Sequence, residues 1–159
     1  MARKYLIETF GCQMNFHDSE RMAGLLEQAG FEATAEAADA DVVVINTCSV
    51  RERAEEKLYT RLGELRELAA ESGHDPIVAV AGCVAQQEGA ALLKRSPGVA
   101  DVIVGTQAIR RLPMLVEQAE RDRRRRGERR IEVERRKRKS ESEGWAWRVS
   151  TSSRRSAAR

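Results

Sequence analysis

No apolar run in these 159 residues approaches the ~20 that a membrane-crossing helix requires. The first residues, Met1-Ala2-Arg3-Lys4, open no stretch like a signal peptide. The expectation is a cytoplasmic chain with no membrane partner. Paired cysteines are lacking as well. There are three, and an odd number without a signal argues against a disulfide framework and for thiols that are ligands, nucleophiles or buried fillers. No Cys-x-x-Cys pair occurs. A uniformly basic surface is also missing: residues 1–119 carry 12 Lys/Arg against 18 Asp/Glu, a net charge of −6, whereas residues 120–159 carry 16 against 7, a net charge of +9. Only the carboxy-terminal part therefore has the electrostatic footprint of a polyanion binder.

What is present is a repeat. Cys12, Cys48 and Cys83 stand 36 and 35 residues apart, each just past a strand-like apolar run: Tyr5-Leu6-Ile7-Glu8-Thr9-Phe10-Gly11, Val42-Val43-Val44-Ile45-Asn46-Thr47 and Ile77-Val78-Ala79-Val80-Ala81-Gly82. The last two runs do not alternate, which suits strands buried on both faces of a parallel sheet. Between them lie helical patterns. Met22, Leu25, Leu26 and Ala29 follow one helix that Asp18 or Ser19 would cap and Gly30 would stop. Ala54, Leu58, Leu62, Leu65 and Ala69 mark a longer one ending near Ser72-Gly73, and a shorter helix spans Gln86 to Lys94, before Pro97. Phe31 to Thr34 and Val102 to Gly105 read as short strands, and Leu112, Leu115, Val116 and Ala119 close the pattern with a helix that holds Pro113 in its first turn.

Alternating strands and helices imply an α/β domain of three layers with a mostly parallel five-stranded sheet, flavodoxin- or Rossmann-like. In the flavodoxin-like strand order 2-1-3-4-5 the three cysteine-bearing strands are immediate neighbours. At ~4.8 Å between strands, their ends fall within about 10 Å of one another. One domain over residues 1–119 and a basic, low-complexity tail over 120–159 is the expected division. The tail holds Arg123-Arg124-Arg125-Arg126 and Arg135-Arg136-Lys137-Arg138-Lys139, and its end, rich in Ser and Arg, shows no period, so it reads as disordered.

The carboxyl edge of a parallel sheet is where α/β proteins bind ligands, and helix amino termini there favour thiolate over thiol. Gly11, Thr47 and Gly82 precede the cysteines and leave the approach uncrowded. Three thiolates could hold a cubane iron–sulfur cluster with one iron open to an outside ligand, since such a cluster normally takes four cysteines. Two other readings stay open: three small buried cysteines, or a Cys3His zinc site with His17 as the fourth ligand. Gln13, Asn15, Asn46, Thr47, Ser49 and Arg51 lie beside the thiols as candidates for the pocket or for a substrate, or else as loop ties and helix caps. Asn15 and Asn46 can bridge neighbouring loops. Arg51 and Arg53 could face a phosphate or pair with Glu52, Glu55 or Glu56. His74, between Gly73 and Asp75, carries no functional expectation.

The wording of three motifs, Thr9-Phe10-Gly11-Cys12-Gln13-Met14-Asn15 with Asp18-Ser19-Glu20, Asn46-Thr47-Cys48-Ser49-Val50-Arg51-Glu52, and Gly82-Cys83-Val84-Ala85-Gln86, resembles the amino-terminal domain of the radical S-adenosylmethionine methylthiotransferases. The similarity runs over about residues 4–119 and is closest to the tRNA-modifying MiaB branch, the ribosomal-protein branch being the alternative. The resemblance implies an auxiliary [4Fe–4S] cluster on Cys12, Cys48 and Cys83, used to supply or present sulfur. In the family a central domain makes the radical at an isopentenylated adenosine beside the anticodon. That domain's Cys-x3-Cys-x2-Cys motif is absent from the sequence. S-adenosylmethionine and a second cluster are therefore expected only in a full-length parent, and the chain reads as a truncated, split or frameshifted product. By the same resemblance its partners would be tRNA, a sulfur donor or a missing domain supplied in trans. A third possibility is an RNA-binding module acting through the Arg-rich tail.

Overall fold

The computed structural model describes residues 1–48, 52–95, 98 and 100–127. Ser49, Arg51 and residues 128–159, the greater part of the 120–159 tail for which disorder was expected, lie outside the described residues. The chain divides into two units, Met1–Glu120 and Arg121–Arg159, and the described part of the second, residues 121–127, is helical.

In the first unit β1 (Arg3–Phe10) leads into α1 (Gln13–Gln28) and the short β2 (Phe31–Ala33). A 3-10 turn, Ala37–Asp39, precedes β3 (Val42–Thr47), followed by α2 (Glu52–Ser72), β4 (Ile77–Gly82), α3 (Cys83–Arg95) and β5 (Val102–Val104). A second 3-10 segment, Thr106–Arg111, runs into the helix that begins at residue 112. All four strand pairings are parallel, in the order β2-β1-β3-β4-β5. Every residue of β3 and β4 is buried. This is why their sequences are continuously apolar rather than alternating.

The alternation of side chains along β3 divides the core in two. Val42 and Val44 pack on one face with Met22 and Leu26 of α1 and with Ile109, Leu112 and Val116. Val43 and Ile45 pack on the other face with Leu58, Leu62 and Leu65 of α2 and Val84 and Leu92 of α3. Met22, Leu26, Leu58 and Leu92 are wholly shielded, and each such side chain contributes about 1.5–3 kcal/mol of burial. A polar strut ties β1 to α2: the Arg61 guanidinium donates to both carboxylate oxygens of Glu8 at 2.6–3.1 Å and to Glu64 at 2.7 Å. Those carboxylates hold Arg61 firmly in its charged form. Tyr5 donates its hydroxyl to Glu27 at 2.9 Å, and burial together with that carboxylate pushes its pKa up to about 12.

Two helix boundaries differ from the sequence expectation, and both differences bear on the thiols. Neither Asp18 nor Ser19 caps α1. The helix begins at Gln13, with Cys12 as its N-cap in extended conformation. The cap is a reciprocal box between Cys12 and Asn15, in which the asparagine takes the place usually held by Glu or Gln. Likewise α3 begins at Cys83 rather than Gln86. Gly82 adopts a φ of +101°, a conformation open to glycine that turns strand into helix with no intervening loop.

Candidate functional site

Register carries the site. In the parallel pairing Phe10 lies opposite Thr47, and Thr47 opposite Gly82, so three strands end on one level. Cys48 and Cys83 are the next residues after β3 and β4, and Cys12 stands one residue further along, past Gly11. All three therefore gather at the carboxyl edge of the sheet. They are free cysteines of graded exposure: Cys12 is exposed, Cys83 intermediate and Cys48 buried. The Cys48 thiol is near enough to influence the ionisation of both Cys12 and Cys83.

Their ionisation is polarised accordingly. The backbone N–H groups of Met14 and then Asn15, at the start of α1, draw the Cys12 thiol below its ordinary pKa, with the Cys48 thiol helping as a donor. Cys12 is thus drawn toward thiolate and ionises more readily than Cys83, as expected at a helix amino terminus. Burial raises Cys83, and the neighbouring sulfurs of Cys48 and Cys12 raise it further. Clustered thiols of this kind resist ionising together unless a cation compensates them.

Beneath the thiols lies a buried polar network. Asn15 Oδ1 accepts from the Cys12 N–H at 3.3 Å and from its S–H at 3.4 Å. The Asn15 amide donates to Asn46 Oδ1 at 3.2 Å, and Asn46 in turn donates to the Asn15 carbonyl at 2.7 Å and to Ser19 Oγ at 2.9 Å. Ser19 Oγ also pairs with Thr9 Oγ1 at 2.7 Å. Asn46 is 0% exposed and Asn15 4%. The network locks the first cysteine turn to the end of β3, and hence Cys12 to Cys48. Close backbone approach is part of the same construction: a Cβ on Gly11 would lie 2.5 Å from Asn15 Oδ1 and 3.1 Å from the Cys48 Cβ, and one on Gly82 would run into the Thr47 carbonyl.

The remaining candidates separate. Thr47 is wholly buried, yet its hydroxyl has no hydrogen-bond partner. Gln13 is exposed at the start of α1 and shares a cavity of about 580 Å³ with Met14, Phe16, His17, Asp18 and Glu20. His17 points to solvent, its Nδ1 lying 3.6 Å from Glu20. Among the described residues no group of three or more His, Cys, Asp or Glu has the arrangement that would hold a metal ion. Arg53 and its acidic neighbours Glu52 and Glu55 have no described side chains. His74 bonds the Ala40 carbonyl at 2.9 Å, as a tie between loops. Sequence reasoning missed the part played by Thr9 and Ser19. The available signal was Asn46 itself, a polar residue at the end of a buried apolar strand that must find partners.

Among the described residues no helix is long and apolar enough to cross a membrane. The family profile described as Uncharacterized protein family UPF0004 matches residues 4–105. The tRNA-2-methylthio-N(6)-dimethylallyladenosine synthase of Mycobacterium sp. (strain MCS) is 53% identical over 125 residues, which make up 77% of this chain and 23% of that protein. The protein of the same name from Pseudomonas aeruginosa (strain UCBPP-PA14) is 50% identical over 125 residues, 78% of this chain and 28% of its own. That of Sphingopyxis alaskensis is 50% identical over 119 residues, 75% and 26% respectively. The chain spans about a quarter of the length of these relatives. On the matched residues, which carry β1 through β5 and all three thiols, the chain belongs to the family described as UPF0004, the amino-terminal domain of MiaB-type tRNA methylthiotransferases.

Proposed function

We propose that residues 1–119 form the auxiliary-cluster domain of a tRNA methylthiotransferase, with Cys12, Cys48 and Cys83 as the protein ligands of one [4Fe–4S] cluster. The observation that carries this reading is the common level of Phe10, Thr47 and Gly82, which brings cysteines far apart in sequence to one sheet edge. The donor set fits the group: three thiols, one already drawn toward thiolate by backbone N–H groups, and a buried hydroxyl still free to donate. Bound there, such a cluster would supply an iron with an open coordination position, at which a sulfur species is held or presented.

The chain's own part is to hold and to shield. The Asn15 and Asn46 network fixes the spacing of Cys12 from Cys48, Gly82 delivers Cys83 directly from the neighbouring strand, and burial of Cys48 keeps water from the inner side of the pocket. A cubane on three cysteines leaves its remaining iron to an outside ligand, whereas a Cys3His zinc site needs a fourth ligand from this chain. His17, the fourth ligand that zinc would need, points to solvent. By the names of the relatives, the substrate is a tRNA carrying a dimethylallyl adenosine, and the product its 2-methylthio form. Radical initiation with S-adenosylmethionine needs a second cysteine set. The three cysteines present are already engaged, so that chemistry belongs to another domain, in the same chain or supplied in trans.

Anaerobic reconstitution tests the assignment. The full chain should take up about four irons and four sulfides with the broad absorbance of a cubane, and Cys12→Ala, Cys48→Ala and Cys83→Ala should each lose most of that iron. A colourless protein holding one tight zinc would overturn the reading.

A further inference from the structure

We propose that the Thr47 hydroxyl is a hydrogen-bond donor reserved for the occupied site: it donates to a sulfur of the group that the three thiols hold, and thereby sets that group's reduction potential. The inference rests on the cluster assignment above.

The starting observation is a buried group without a partner. Thr47 is 0% exposed, and its Oγ1 is the sole orphan among the buried side-chain N and O atoms of the described residues. Burying a hydroxyl unpaired costs about 1–3 kcal/mol by protein mutational data. Native structures leave few such groups, and those that persist call for a specific explanation. Simple neglect of polar residues here is not that explanation. Asn46, next door and equally buried, satisfies its side-chain amide with three hydrogen bonds.

Position says what the orphan is for. Residues of β3 alternate between the two faces: Val43 and Ile45 pack with α2 and α3, while Asn46 turns to α1 and bonds Asn15 and Ser19. By that alternation the Thr47 side chain lies on the α2 and α3 face. It stands at the last residue of the strand, adjacent in sequence to Cys48 and opposite Gly82, whose successor Cys83 opens α3. Thr47 is therefore flanked by two of the three thiol-bearing segments, Cys48 following it in sequence and Gly82, which precedes Cys83, lying opposite it in the sheet. The acceptor missing from this chain is then one that arrives with the ligand. Thiolate and sulfide are acceptors, and a hydrogen bond to a cluster sulfur stabilises the more negative, reduced state, which raises the potential.

Thr47→Val keeps shape and volume and removes the donor, whereas Thr47→Ser keeps the donor. Both variants and the wild-type full chain would be reconstituted anaerobically with iron and sulfide. Their potentials would be measured by redox titration followed by electron paramagnetic resonance, and the urea midpoints of the cluster-free forms would be recorded alongside. The expected result is a more negative potential for Thr47→Val and a near wild-type potential for Thr47→Ser. Cluster-free Thr47→Val should be at least as stable as wild type, because it relieves an unpaired hydroxyl. A cluster of unchanged potential in Thr47→Val overturns the donor role and leaves the ligand assignment standing. So does a cluster-free Thr47→Val that is clearly less stable, since the hydroxyl would then have a partner within the protein. Failure of the wild-type chain to take up iron overturns the ligand assignment and this inference with it.

Discussion

Asn46 shows how much of the site depends on one side chain. Its amide joins two chain segments, accepting from Asn15 and donating to the Asn15 carbonyl and Ser19, all shielded from water. Truncation would strand at least two of those groups, and a buried group left unsatisfied costs about 1–3 kcal/mol. Asn46→Ala is therefore expected to destabilise the chain by about 2–4 kcal/mol in urea unfolding and, on the proposed cluster assignment, to lower iron uptake because Cys12 is no longer held against Cys48. Ser19→Ala should lose less, since it removes one partner of Asn46 and leaves both bonds to Asn15. Equal losses for the two would show that the Asn15–Asn46 pair is not the joint. At this scale the sequence was only partly legible. Asn15 and Asn46 could be singled out beside the thiols, and their bridging role was open to reading, because polar residues at the ends of buried strands must be paired. That Ser19 completes the network could not be read, because a serine four residues past Asn15 looks the same as a helix cap until the start of the helix is known.

At the scale of elements, the junction of β4 and α3 delivers the third thiol, and Gly82 makes it possible. Its φ of +101° disfavours any side chain, and an added Cβ would strike the Thr47 carbonyl across the β3–β4 pair. Backbone does not yield as a flexible side chain would. Gly82→Ala is expected to cost about 2 kcal/mol or more and to displace Cys83. Gly24, inside α1, is the contrasting case. It has nothing within 4 Å of an added Cβ, so Gly24→Ala should raise stability by about 0.5–1 kcal/mol through helix propensity alone. Thermal or urea unfolding of the two variants should move in opposite directions, and a neutral Gly82→Ala would show that the junction relaxes. The elements themselves were legible wherever burial writes a period: β3 and β4 as continuous apolar runs, α2 from its leucines. The starts of α1 and α3 were not, because they are set by an unusual Cys–Asn cap and by a single backbone angle, neither of which leaves a hydrophobic pattern.

Across the whole molecule, strand order converts a sequence repeat into a site. The order β2-β1-β3-β4-β5 puts β3 between β1 and β4, so the convergence of the three cysteines on one edge could be argued from alternation of elements alone. The fine spacing of the thiols could not, since it depends on side-chain packing at the strand ends. Charge is distributed on an equally coarse scale, with −6 on residues 1–119 and +9 on 120–159. Residues 1–127 together hold 17 Lys/Arg against 20 Asp/Glu, a net charge of −3, where the full chain stands at +3. A polyanion is repelled by the first and attracted by what lies beyond residue 127, and attraction of that kind acts through phosphate or sulfate groups and is screened by salt. The full chain is expected to bind an immobilised heparin column at low ionic strength and to elute as salt rises toward a few tenths molar, while a chain ending at residue 127 passes through. Binding to tRNA should follow the same order, with log affinity falling linearly against log salt for the full chain. Equal retention of the shorter chain would place the basic contact within residues 1–127, on a local face that their net charge conceals.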